Sequence, residues 1–580
     1  MAPMARALVV SALWLLVGPL VSAAPLLSAQ NLVVDLGYGV YQGVHNSTTQ
    51  LNVWKGIRYA SPPTGDLRWR APTAPAVSRN GTVNATTFAP QCPQAPDAPG
   101  PGAPAPSGDE DCLFLNVYAP NFEPGRKLPV LVWIHGGGYG AGNGRTDMSE
   151  IINANDNNFV AVAIQYRLGA FGFLSSAEVE QNGVVNAGIL DMAFALQWVQ
   201  DNIGQFGGDA HRVTISGESA GGGGVMLLGI AKNGTLGSSL FSGIVAASPY
   251  LPPQYDFDAP IPTQKYSSFT SRAGCANATS TLSCLRSVDT VTLQTANTNE
   301  NTASFYGNWA FLPVTEPSSG FITTLPSDSL TSKRVNGQHI LVGNNANEGA
   351  PFVPSNITST AALTTWLRGA YPDLSPSDLD TILTAYPASN SSSTTRFATS
   401  GLGPLTALDV SQLATGAQQR ADNIYAEATF VCPSYWLNSA FTGGNRTSYH
   451  YQYSVPVSLH GNDVTGYFGP ATPNQPPVFT KVFRQIWGGF IEAAKPTSAE
   501  GLGNLTWPAW VDDGESRMLN LNTTGGVPFV VPEQAEGVNI TEFMGPGIQN
   551  DFSVVDALTW EGGRGARCEV LRSIASRIPI

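Results

Sequence analysis

Val213-Thr214-Ile215-Ser216-Gly217-Glu218-Ser219-Ala220-Gly221-Gly222-Gly223-Gly224-Val225-Met226-Leu227-Leu228-Gly229-Ile230 is the stretch on which the fold turns. A short apolar run leads into a serine flanked by glycines, and an apolar stretch follows a glycine cluster. This order predicts a buried strand, a sharp turn over Gly217–Gly224 and a helix. Gly217-Glu218-Ser219-Ala220-Gly221 fits the G-x-S-x-G elbow, in which small residues permit the tight reversal and leave the serine side chain exposed on the turn. In a chain with 61 glycines the motif alone is weak, and it carries weight only through this strand-turn-helix setting. A glycine-rich turn that merely packs a helix on a sheet is the plainer alternative.

The neighbouring sequence repeats the theme. Leu128–Ile134 and Phe159–Ile164 are short continuous apolar runs, as expected of strands covered on both faces. Between Ile189 and Ile203 the apolar positions Ile189, Met192, Leu196, Val199 and Ile203 recur at steps of three and four, one stripe of a helix that Gly204 can end. Alternating strands and helices imply a mostly parallel central sheet flanked by helices, an α/β class.

A serine hydroxyl becomes a nucleophile only when a base takes its proton, and the oxyanion it creates needs N–H donors held in place. His135-Gly136-Gly137-Gly138 follows the first buried strand and fits the H-G-G-G type of oxyanion loop, with the Ala220 amide as a further donor. The same residues read as Gly136-x-Gly138-x-x-Ala141 also fit a relaxed dinucleotide fingerprint, but Gly140, Gly142, Asn143 and Gly144 stand where its helix should start. An elbow serine is followed in the chain by its acid and then its histidine. That order leaves His339, His450 and His460. His450 lies inside the alternating strand Ser448–Tyr453, where a structural side chain is expected, whereas His460 follows it in Leu459-His460-Gly461-Asn462-Asp463. Loops beyond strand ends collect site residues in open parallel sheets, which favours His460. For the acid, Glu348 follows the short strand Ile340–Val342, which sets His339 too early; Asp463 and Asp409 compete with Glu348.

Composition limits the partners. The net charge of −13, with no Lys/Arg cluster, argues against a phosphate-binding surface and hence against nucleic acid as a partner, and solubility is the plainer reason for the acidity. Residues 1–23, with Arg6 before the apolar run Ala7–Val21 and Ser22-Ala23-Ala24 after it, read as a signal peptide, and no membrane anchor is expected after it. Asn-x-Ser/Thr triplets recur along the chain, among them Asn46, Asn80, Asn277, Asn390, Asn445, Asn504 and Asn539, as in a glycosylated, secreted, extracellular protein. The six cysteines, Cys92, Cys112, Cys275, Cys284, Cys432 and Cys568, include no C-x-x-C pair and no neighbouring histidine, which argues for disulfides and against a metal. The proline-rich Pro93–Ser107 reads as an extended loop and the Ser/Asn/Thr-rich Pro387–Thr395 as a surface connection. Residues 24–580 show no internal boundary and read as a single domain.

Taken together these residues resemble the type-B carboxylesterase family, which includes cholinesterases, fungal extracellular lipases and the non-catalytic neuroligins. The resemblance rests on Phe206-Gly207-Gly208 with Val213–Gly221, on Glu110–Pro120 with Phe114 as a variant, on Trp54–Pro72 and on Tyr166–Leu174. It implies the α/β-hydrolase fold with long insertions and a serine hydrolase of carboxylic esters, without cofactor or metal, acting on small ester substrates. It further implies Ser219, Glu348 and His460 as catalytic residues and Gly137, Gly138 and Ala220 as oxyanion donors. The implied disulfides are Cys92/Cys112, Cys275/Cys284 and Cys432/Cys568, and the implied ion pairs are Arg68 with Glu110 and Arg167 with Asp191. The Cys92–Cys112 loop lacks the tryptophan of cholinesterases and the amphipathic lid of related lipases. An esterase acting on dissolved esters is therefore expected; a triacylglycerol lipase, whose lid could come from Asp256–Ser271, and an adhesion protein are the alternatives. Phe305, Tyr306, Trp309 and Phe311 are candidate acyl-site aromatics.

Overall fold

The computed structural model describes residues 32–96, 107–121, 125–317, 320–387, 411–496, 502, 505–512, 514–533 and 537–580. The expected signal peptide, Asp409, the sequons at Asn390 and Asn504, and most of the two loops at 93–107 and 387–395 lie outside the described residues.

One eleven-stranded sheet organises the molecule. Its strands are β1 (Val44–Asn46), β2 (Leu51–Arg58), β3 (Phe114–Pro120), β4 (Leu128–Ile134), β5 (Val160–Ile164), β6 (Gly208–Glu218), β7 (Gly243–Ala247), β8 (His339–Asn345), β9 (Thr447–Tyr453), β10 (Arg517–Thr524) and β11 (Gln549–Asp556). They lie side by side in the order 11-10-9-8-7-6-4-5-3-2-1. Every pairing from β5 through β10 is parallel, while β1, β2, β3 and β11 join antiparallel at the edges.

The continuous apolar strands are buried on both faces, for a reason visible residue by residue. Val130, Val132 and Ile134 of β4 point into the core shared with Ile189, Met192, Leu196 and Val199 of helix α1 (Ala187–Asn202). The alternate residues Leu131 and Trp133 point into the opposite core, shared with Phe483, Ile486 and Trp487 of a long amphipathic helix at Pro477–Ala493. Burying a single such side chain contributes about 1.5–3 kcal/mol, so a strand covered on both faces favours apolar residues throughout and holds a polar one only where it is hydrogen-bonded. The strand bearing His450 obeys the same rule. Its alternation of polar and aromatic residues does not produce a wet face, because helices cover both sides and Ser448 through Tyr453 are all buried.

Two boundaries differ from expectation. β6 begins at Gly208, well before Val213, because Gly208 pairs with Leu128 ahead of a register shift. Helix α1 ends at Asn202 and passes into a short 3-10 turn over Ile203–Phe206 that runs through Gly204, so Gly207, at φ 85°, is the residue that takes the left-handed conformation.

The expected disulfides Cys92–Cys112, Cys275–Cys284 and Cys432–Cys568 are all formed. Arg68 grips Glu110 with two hydrogen bonds of 2.7 and 2.6 Å and caps the carbonyls of Leu285, Arg286 and Val288, tying the Cys275–Cys284 region to the loop below the sheet. Arg167 meets Asp191 on α1 at 2.7 Å through both Nε and Nη2. Both pairs are buried, and removing one partner would strand a charge in the interior. The segment Asp256–Ser271 is mostly a helix, α2 as far as Arg272 (Pro260–Arg272), with Phe269 fully buried. Among the described residues no helix is long and apolar enough to cross a membrane. The sequon asparagines Asn46, Asn80, Asn277, Asn445 and Asn539 are exposed.

Candidate active site

The quoted stretch folds as a strand that reverses into a helix with Ser219 at the corner. Helix α3 here (Ala220–Ile230) starts immediately after it. Ser219 takes φ 58° and ψ −125°, a conformation that costs a non-glycine residue of order 1–3 kcal/mol. The turn is held by three backbone hydrogen bonds, from Ser219 N–H to Ala247 O (3.1 Å), and to Ser219 O from Gly223 N–H (2.8 Å) and Tyr250 N–H (3.0 Å). Glycine is required beside it because a Cβ on Gly221 would lie 2.0 Å from Ile134 O. Only without that atom can the helix start this close to the sheet.

Glu348 and His460 arrive from beyond β8 and β9, the second and third strands across from β6. Beyond the ends of β8 and β9, Asn347 and Leu459 form one further parallel bridge, so the residues that follow, Glu348 and His460, stand abreast. Glu348 is fully buried. Its Oε1 accepts from the Ser248 hydroxyl (2.6 Å) and the Asn345 amide (2.5 Å), and its Oε2 accepts from His460 Nδ1 at 2.5 Å. Among the described residues His460 Nε2 then has no hydrogen-bond partner, and it lies 3.3 Å from Oε1 of Glu218, the neighbour of Ser219.

Two carboxylates therefore flank the imidazole, and a third, Asp463, acts on it only electrostatically. Burial opposes a charge on His460, but Glu218 and Glu348 outweigh it and raise its pKa to about 9. Burial also pushes up Glu218, with Glu348 adding to the effect and His460 opposing it, and it pushes up Asp463 in the same way. Asp463, the competitor for the acid position, receives a long hydrogen bond from Asn345 Nδ2 (3.3 Å) and none from His460. His339 is engaged with Thr447 Oγ1 (2.8 Å), and His450 lies between Asn438 Oδ1 (2.6 Å) and Asn344 Oδ1 (2.8 Å).

The loop after β4 lies against the serine: a Cβ on Gly136 would stand 2.9 Å from that of Ser219. Gly137 and Gly138 have φ 107° and 61°, and a Cβ on Gly138 would overlap the indole of Trp309 at 2.0 Å. Among the described residues the amides of Gly137, Gly138 and Ala220 donate to no protein acceptor. His135 stacks on Tyr166 with ring centroids 4.5 Å apart, and burial lowers its pKa to about 4, so it stays neutral.

Of the aromatic candidates, Trp309 reaches the loop glycines, while Phe305 packs on Gly369 and Phe311 on Phe269 (5.6 Å). These three line one mostly apolar cavity, which Lys265 and Ser304 also line and Ser219, Glu348 and His460 do not; Tyr306 is not part of its lining. Sequence reasoning missed Ser248, the hydroxyl that holds Glu348, and the rings of Phe352 and Phe430 against His460. No motif marks them, since each is brought in by a segment distant in the chain. Among the described residues no cluster of His, Cys, Asp and Glu could hold a metal ion.

Residues 30–532 match the model of the carboxylesterase family. Among the similar proteins are secreted lipase 1 of Botryotinia fuckeliana, 31% identical over 82% of this chain and 86% of that protein, and lipase 4 of Diutina rugosa, 29% identical over 81% and 88%. A crystal structure of Aspergillus niger EstA superposes with a TM-score of 0.74 at 26% identity, covering 94% of this chain and 99% of that one. A PNB esterase shares the fold with a TM-score of 0.67 at 23% identity, over 88% and 97%. The chain is thus an α/β-hydrolase that belongs to the carboxylesterase family, and it is a carboxylic ester hydrolase.

Proposed function

We propose that the protein is a secreted serine esterase that hydrolyses dissolved carboxylic esters through an acyl-enzyme on Ser219. The observation that carries this reading is the 2.5 Å bond from His460 Nδ1 to buried Glu348, which fixes the ring with Nε2 unbonded beside the elbow. In the first step Ser219 Oγ attacks the ester carbonyl carbon while His460 Nε2 takes the hydroxyl proton. Glu348 keeps the Nδ1 proton in place and stabilises the imidazolium, and the amides of Gly137, Gly138 and Ala220 receive the oxyanion. The imidazolium then gives its proton to the departing alkoxide. Water, deprotonated by the same nitrogen, then adds to the acyl carbon; the Ser219 Oγ–C bond breaks and Oγ takes the proton back from Nε2 as the acid leaves.

Export is supported by the leader-like residues 1–23, the three disulfides, the exposed sequons and relatives described as secreted. Apolar acyl groups suit the mostly apolar cavity lined by Trp309, the ring that reaches Gly138. An organophosphonate probe tests the assignment: mass spectrometry should find the label on Ser219, and labelling elsewhere, or none, removes Ser219 as the nucleophile. A second reading, triacylglycerol lipase, is favoured by the relatives named lipases. Activity on a short triglyceride across its solubility limit separates the two; a sharp rise as droplets form selects the lipase.

A further inference from the structure

The helical run from Gly416 to Ala440 is interrupted where it passes the site. Helix α4 (Gly416–Ala426) gives way to one π turn over Glu427–Val431 before α5 (Cys432–Ala440) resumes, and Cys432 N–H donates to Glu427 O, five residues back. The cause is Pro433. It has no N–H to offer the carbonyl four residues earlier, that of Thr429, and its ring crowds the same oxygen. Thr429 O instead accepts from Leu251 N–H at 2.9 Å, in the segment whose Tyr250 amide bonds Ser219 O. The widened turn presents Phe430, fully buried, to the imidazole of His460 at a centroid distance of 4.3 Å and an inclination of 38°. Phe352 meets the same ring nearly edge-on at 5.1 Å.

The other side of the π turn is anchored in the C-terminal helix α6 (Trp560–Ser573). Buried Glu427 accepts from Arg567 Nη2 (2.7 Å) and Nε (2.8 Å), from Arg564 Nε (3.2 Å) and from the Tyr386 hydroxyl (2.7 Å). Burial disfavours its charge, but the two guanidinium groups outweigh that and hold its pKa below the ordinary value. Cys568, on the same helix, is bonded to Cys432 at the end of the turn. The bulge therefore has one face on the histidine and the other on a helix more than a hundred residues away in sequence.

We propose that Phe430 is a positioning residue for His460, and that the C-terminal helix, through Glu427, keeps it there. The inference rests on His460 being the base. Two rings at its faces and edge confine the imidazole to the pose in which Nδ1 meets Glu348, and the face of Phe430 lies beside the cation that forms when Nε2 is protonated. Such a residue acts on the chemical step for every ester alike.

The test uses the full-length enzyme with p-nitrophenyl acetate and p-nitrophenyl hexanoate. Phe430→Leu should lower kcat on the order of tenfold to a hundredfold on both esters, with KM within about twofold, as for any loosening of a reacting group. Phe430→Tyr, which keeps the ring, should restore kcat to within about threefold of the parent. Arg567→Lys, which loses the two-pronged grip on Glu427, should lower kcat in the same pattern, and it carries the test if Phe430→Leu fails to fold. The low-field proton resonance of His460 Nδ1 should broaden in Phe430→Leu and persist in Phe430→Tyr. Unchanged kcat in the leucine variant, or a loss confined to hexanoate, overturns the proposal, the latter by making Phe430 an acyl contact. Organophosphonate labelling of the parent keeps the outcomes apart: no label on Ser219 sinks the base assignment itself, whereas a labelled parent with an indifferent Phe430→Leu sinks only the positioning role.

Discussion

Two histidines ten positions apart meet opposite surroundings. His450 lies within β9 between the side-chain oxygens of Asn438 and Asn344, and burial with the nearby Arg564 charge lowers its pKa to about 3. His460 lies in the loop beyond, where burial acts in the same direction but Glu218 and Glu348 overturn it. Both rings are buried, so burial does not separate them. The difference is the neighbour: neutral amides leave an imidazole uncharged and structural, whereas carboxylates prepare it to accept a proton.

The sharpest way to break this comparison is to delete each ring in turn. His460→Ala, like Ser219→Ala, should lower kcat by several powers of ten, about 10⁴-fold or more, while the fold persists. Initial rates on a chromogenic ester, with circular dichroism as the control, measure it. Glu348→Gln comes next, expected to cost about 10²–10⁴-fold in kcat because the amide no longer fixes the Nδ1 proton or stabilises the imidazolium. If that variant kept parental kcat, Asp463 would have to be the acid.

His450→Ala should behave in the opposite manner. It strands Asn438 and Asn344 in the interior, a loss of about 1–3 kcal/mol for each unsatisfied group, seen as a lower melting temperature. Its kcat/KM at moderate temperature should stay within about threefold of the parent, and a larger fall would give His450 a role in the chemistry. The smallest effect sharpens the electrostatic half of the comparison. His460 must be neutral to act, so the acid limb of kcat/KM against pH follows its pKa. Removing the Glu218 charge removes a cause that raises that pKa, so Glu218→Gln should move the limb to lower pH. A limb that stayed in place would show that Glu218 carries its proton throughout the working range.

Much of this was legible before any coordinates. Continuous apolar runs identified β4 and β5, three- and four-residue spacing identified α1, and the elbow identified the corner at Ser219. Even the preference for His460 over His450 followed from a loop beyond a strand against a position inside one. Less legible was the carboxylate that meets His460. Glu348 and His460 are 112 residues apart, and nothing local distinguishes Glu348 from Asp463. The bridge of Asn347 to Leu459 makes the choice, because it brings one carboxylate and not the other to Nδ1. The π turn was equally hidden: Pro433 marks a break in a helix, but not that the break faces His460.

By itself the sequence determined what depends on near neighbours: burial of strands and helices through the period of their apolar residues, and the sharp turn at Ser219 through its glycines. Tertiary structure alone decided which carboxylate meets the imidazole, which rings confine it and which histidine is caged by amides. Those outcomes depend on distances between segments a hundred or more residues apart, and electrostatic and packing forces act over a few ångströms of space, whatever the length of chain between them.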